Sequence, residues 1–75
     1  MIYLLAPVLL DRMEEQCRVF GSYSAMEQVA KTLPIHSHYV LAYHGEDEMH
    51  LAFVYLLEEG GLCRYKLING SLSKS

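Results

Sequence analysis

The sequence predicts an α+β domain in which one helix covers one face of a mostly antiparallel sheet of about five strands. The first observation behind this is that the runs His38 to His44, Met49 to Leu57 and Leu62 to Ile68 alternate with period two between turn residues. The second is a stretch from Ser24 to Leu33 with the apolar spacing of an amphipathic helix. The third is size: 75 residues with no repeat, low-complexity tract or linker leave one domain over 1–70 and a disordered tail over 71–75.

Residues 1–20 admit two readings. In the first, Met1 to Leu9 and Gln16 to Phe20 are strands of a hairpin that turns at Asp11 to Glu15, and the element order is β-β-α-β-β-β. In the second, Pro7 opens a helix, Leu10, Met13, Cys17 and Phe20 line its apolar face, and Gly21 caps it, giving β-α-α-β-β-β. The hairpin is preferred because Val19 and Phe20 read as a strand end that leads through Gly21 and Ser22 into a helix start. Two successive helices would also leave the apolar first strand little sheet to join. Propensity argues the other way, since Leu, Met, Glu, Gln and Arg all favour a helix.

Ser24 and Glu27 then form a capping box, and Met26, Val29, Ala30 and Leu33 recur at i, i+3, i+4 and i+7 before Pro34. These place a helix over Ala25 to Leu33. Gly45 to Glu48 and Glu58 to Gly61 supply the turns of an antiparallel meander. With His44 opposite His50 and Leu57 opposite Cys63, matched parity sets Tyr39, Tyr55 and Tyr65 in one row, beside Leu41, Phe53 and Leu67. The even-numbered face carries Val40, Ala42, Ala52, Val54, Leu56 and Ile68, fringed by His38, His44, His50, Arg64 and Lys66.

A chain this short buries only about three fifths of its unfolded surface, so a staple, a metal or a partner commonly supplements its core. Two cysteines, Cys17 and Cys63, are too few for a disulfide framework or a cysteine-rich zinc site. The apolar start lacks the basic residues and cleavage site of a signal peptide, and Asp11 and Arg12 end it short of the ~20 residues that span a bilayer. The expected setting is therefore cytoplasmic, with no membrane partner. A net charge of −3 gives no basic footprint for duplex nucleic acid.

The chemical inventory is thin. His36 with His38, and His44 with His50, have spacings a zinc or nickel ion could use, but no carboxylate or thiol joins them on the predicted face, so surface histidines are preferred. The tyrosine row invites stacking of single-stranded bases or a nucleotide, yet it shares its face with the larger apolar set, so core tyrosines with wet hydroxyls are preferred. No nucleophile elbow, phosphate loop or carboxylate pair appears, and neither catalytic residues nor a cofactor are expected. What stays unassigned is the even-numbered face, because a helix of nine residues is only about 14 Å long and cannot cover both sides of a sheet. Val40, Ala42, His44, His50, Ala52, Val54, Leu56 and Ile68 are accordingly the predicted interface. The expected function is a small non-enzymatic protein-binding module, a homodimer acting as a regulator or inhibitor on a partner protein's surface, as accessory proteins of phages or mobile elements do. The alternatives are a single-stranded nucleic-acid or nucleotide binder and a histidine-dependent metal-binding protein.

Overall fold

The computed structural model of the chain describes residues 1–8, 17–45 and 50–75. They form β1 (Ile2–Pro7), β2 (Arg18–Phe20), α1 (Tyr23–Ala30), β3 (His38–His44), β4 (His50–Glu58), β5 (Gly61–Ile68) and β6 (Ser71–Lys74). The six strands make one antiparallel sheet in the order β2-β1-β3-β4-β5-β6. The α+β class stands, with one strand more than the sequence suggests.

β1 pairs antiparallel with β2, Tyr3 opposite Phe20, as the hairpin reading requires. Pro7 and Phe20, the ends of the alternative helix, both lie in strands. The stretch from Asp11 to Glu15 expected to turn this hairpin lies outside the described residues, as do Leu9 and Gln16. On its other side β1 pairs with β3, from Ile2 opposite Tyr43 to Pro7 opposite His38. Since β2 and β3 both oppose β1, they run parallel to each other, and parallel strands cannot be joined by a tight turn. α1 is the crossover, which is why it sits on one face of the sheet.

α1 starts two residues earlier and stops three earlier than the spacing alone suggests. Ser22, extended at φ −141° and ψ 150°, is the N-cap, and its hydroxyl oxygen accepts from the Ala25 N–H at 3.2 Å. Ser24 sits in the first turn and does not cap. Capping at Ser22 makes Tyr23 the first helical residue and sets its ring against Tyr3 and Tyr55. Beyond Ala30 the chain tightens, with the Thr32 and Leu33 N–H groups donating to Val29 O and Ala30 O at 3.1 Å. The expected apolar stripe therefore survives: Met26 and Ala30 are fully buried, and Val29 and Leu33 pack beside them.

Two register shifts correct the predicted faces. Glu58 opposes Gly61 around a two-residue turn of Glu59 and Gly60, so Leu57 faces Leu62 and not Cys63. His44 does oppose His50, but Tyr43 opposes Leu51 while Ala42 opposes Phe53, which leaves Ala52 as a bulged residue. Each shift turns every side chain beyond it to the other side. They cancel at β5, so only β4 is reversed. The core joins Tyr3, Leu5, Val40, Ala42, Tyr55 and Leu57 of the sheet to Met26 and Ala30 of the helix.

The tail expected to be disordered is β6, which pairs with β5 from Tyr65 opposite Lys74 to Ile68 opposite Ser71. Asn69 and Gly70 turn this hairpin at φ +51° and +82°. Left-handed backbone at both positions is what a two-residue hairpin turn matched to the strand twist requires, and Asn followed by Gly adopts it at least cost.

Candidate functional site

The face of the sheet turned away from α1 is built from rows that the pairing defines. One row crosses all six strands: Val19, Leu4, Leu41, Val54, Tyr65 and Lys74. A second runs through Ala6, Tyr39, Leu56 and Cys63. Leu67 and Leu72 oppose each other on the same side of the β5–β6 hairpin. Among the described residues no helix or strand lies over this face, and α1 packs on the other. Exposure rises toward its margins, from Val54 at 7% to Leu72 at 45%, Leu67 at 50% and Val19 at 68%.

Charge is confined to one end of it. The Tyr65 hydroxyl donates to Glu58 Oε2 at 2.5 Å, and this bond, with a second from the Cys63 thiol, holds the Glu58 carboxyl below the usual carboxylate range. The same bond to Glu58 pushes the Tyr65 hydroxyl up, and the Cys63 thiol rises for the corresponding reason. The polar groups of Glu58, Cys63 and Tyr65 are thereby engaged with one another, beside the apolar Leu4, Leu41, Val54 and Leu56.

The predicted interface residues do not share one surface. Val40 and Ala42 are fully buried beneath α1, so they cannot meet a partner. Ile68 is half exposed but lies on the side of α1, while Val54 and Leu56 do lie on the helix-free face. Ala52 is the bulged residue, and His44 and His50 oppose each other at the exposed end of β3 and β4. The tyrosine row is not formed either: Tyr39 and Tyr65 are on the helix-free face, and Tyr55 is on the other, near Tyr3 and Tyr23. Leu4 and Leu41 are central to the helix-free face, and the bulge at Ala52, which leaves no mark in the alternation, sets Val54 beside Leu41 there.

His36 and His38 are not a strand-face pair. His36 lies before β3 at φ +64°, and its N–H donates to Leu57 O at 2.9 Å. The Ser37 hydroxyl donates its one hydrogen to Pro34 O at 2.6 Å, so at 2.7 Å the His38 Nδ1 must be the donor to Ser37 Oγ. Among the described residues no group of three His, Cys, Asp or Glu side chains is placed to hold a metal ion, and no helix is long and apolar enough to cross a membrane. Comparison with protein-family models, curated proteins and solved structures finds no match.

Proposed function

We propose that the chain is a small non-enzymatic protein-binding module that self-associates as a homodimer through the helix-free face, and that it regulates or inhibits a partner protein by occupying its surface. The observation that carries this reading is the six-strand row from Val19 to Lys74, apolar through Tyr65 and charged only at its end. Adjacent strands are about 4.8 Å apart, so the row is about 24 Å long, and a surface that broad and apolar suits a second copy of itself. The accessible area adds support: 5229 Å² exceeds the roughly 4,700 Å² expected for a compact monomer of this mass. The proposed setting is the cytoplasm, where the unpaired thiols of Cys17 and Cys63 would stay reduced.

Sedimentation equilibrium tests the dimer. Leu72→Lys and Val19→Lys place charge at exposed margins of the face and should preserve the fold, yet weaken association by about tenfold or more, about 1.4 kcal/mol. Gln28→Lys, on the exposed side of α1, should change nothing. A wild-type chain that remains monomeric at high micromolar concentration overturns the reading.

A further inference from the structure

β6 is an outer strand of the sheet, and every residue from Ser71 to Lys74 is exposed. Among the described residues no strand lies beyond it. Its pairing with β5 fixes which backbone groups are left over. The Ser75 N–H donates to Arg64 O at 3.0 Å, and alternate residues of an antiparallel strand turn to the same side, so Ser71, Ser73 and Ser75 bond to β5. Leu72 and Lys74 therefore direct their N–H and C=O groups to the open edge. Such groups template another extended strand unless a proline, a bulge or a covering segment blocks them. β6 has no proline, and it pairs with β5 without a shift of register.

The side chains decide which strand suits this edge. Leu72 and Lys74 lie on the helix-free face, and Ser71 and Ser73 on the side of α1. A second antiparallel β6 can bond only outward residue to outward residue, and the registers symmetric about a two-fold axis differ in what they oppose. Lys74 opposite the partner's Lys74 sets like charges together, which is unfavourable. Leu72 opposite the partner's Leu72 brings Lys74 against the turn at Gly70, where the strand has ended. Leu72 opposite the partner's Lys74 makes both pairs at once and lays each leucine along a lysine stem. That register also sets Ser73 opposite the partner's Ser73, where small side chains let the strands approach.

We propose that β6 pairs with β6 of a second copy, antiparallel about a two-fold axis at Ser73, joining the two sheets edge to edge. The contact goes beyond the face-to-face association and does not depend on it, because it uses backbone at an edge. Position 73 becomes a non-hydrogen-bonded pair with Cα atoms about 4.5 Å apart, within the range a disulfide spans. Ser73→Cys, oxidised at high micromolar concentration, should therefore link to itself through position 73, identified by mass spectrometry. Ser71→Cys should link to itself at least about tenfold more slowly, since its two copies stand about 13 Å apart in this register. In the unmodified chain the Leu72 and Lys74 amides should exchange with solvent about tenfold more slowly at high than at low concentration. Lys74→Pro removes an outward N–H that β5 does not use, so it should slow the linkage about tenfold while the Ser73 amide stays protected within the hairpin. Val19→Lys, on β2 at the far edge of the sheet, weakens the face contact and should leave the linkage unchanged. Linkage at position 73 no faster than at 71, or Leu72 and Lys74 amides indifferent to concentration, overturns the edge contact, even if sedimentation still shows a dimer formed through the face.

Discussion

Glu58 is the residue whose chemistry the fold alters most visibly. Its carboxylate accepts from Tyr65 and Cys63, which favours the ionised form and lowers its pKa below 4.5. For a carboxyl whose folded pKa is depressed, the stabilisation is present above the unfolded value and is lost as pH falls through the folded one. Tyr65→Phe removes the larger of the two donors. The Glu58 carboxyl resonance in that variant should titrate at higher pH than in the wild type, nearer the ordinary value, and the stability difference between the two proteins should shrink as the pH falls below about 4. An unmoved midpoint would mean that the 2.5 Å contact does not persist in solution. None of this was legible in the sequence, because Glu58 and Tyr65 become neighbours only through a two-residue turn that the predicted register did not contain.

At the scale of elements, legibility depended on how local the signal is. β3 appears over the predicted span, because its alternation is uninterrupted from His38 to His44. The helix was visible from Met26, Val29, Ala30 and Leu33, but its start was not, since Ser22 and Ser24 are equivalent as side chains and only the packing of Tyr23 selects between them. Ser22→Ala should therefore cost about 1 kcal/mol in denaturant unfolding, whereas Ser24→Ala, within the first turn, should cost about half of that or less. The reverse order would return the cap to Ser24. Asn69 followed by Gly70 is a hairpin signal between Ile68 and Leu72, but the serine-rich stretch beyond it has the composition of an unstructured tail, and only its pairing with β5 decides between the two. The reversal of β4 is the opposite case. A bulge is a backbone event at Ala52, and only the complete sheet reveals which side chains it redirects.

For the whole molecule, the consequence is that α1 packs on a face made of mixed parity, and among the described residues no helix or strand lies over the other. Sequence alternation indicated the sheet, but it set Val40, Ala42 and Ile68 on the face away from the helix and Tyr55 in one row with Tyr39 and Tyr65, which the pairing does not bear out. The strand order also governs how the chain can reach this state. From β3 onward every strand pairs with its successor, so the meander can close through short loops, whereas β1 must find β3 across about forty residues, from Ile2 to Tyr43. The meander is therefore the expected nucleus and docking of β1 a late event, a hypothesis that rate measurements can decide. In a Leu72→Lys background, which weakens the proposed association, and at protein concentrations low enough to keep the chain monomeric, Leu57→Val in β4 should slow refolding, while Leu5→Val in β1 should chiefly speed unfolding, at a similar cost of about 1 kcal/mol each. Equal slowing of refolding by both would place β1 in the nucleus. If docking is late, the apolar first strand emerges from the ribosome seconds before its partner, at about 5–20 residues per second, and through that interval it is the segment most open to capture by a chaperone or by another nascent chain.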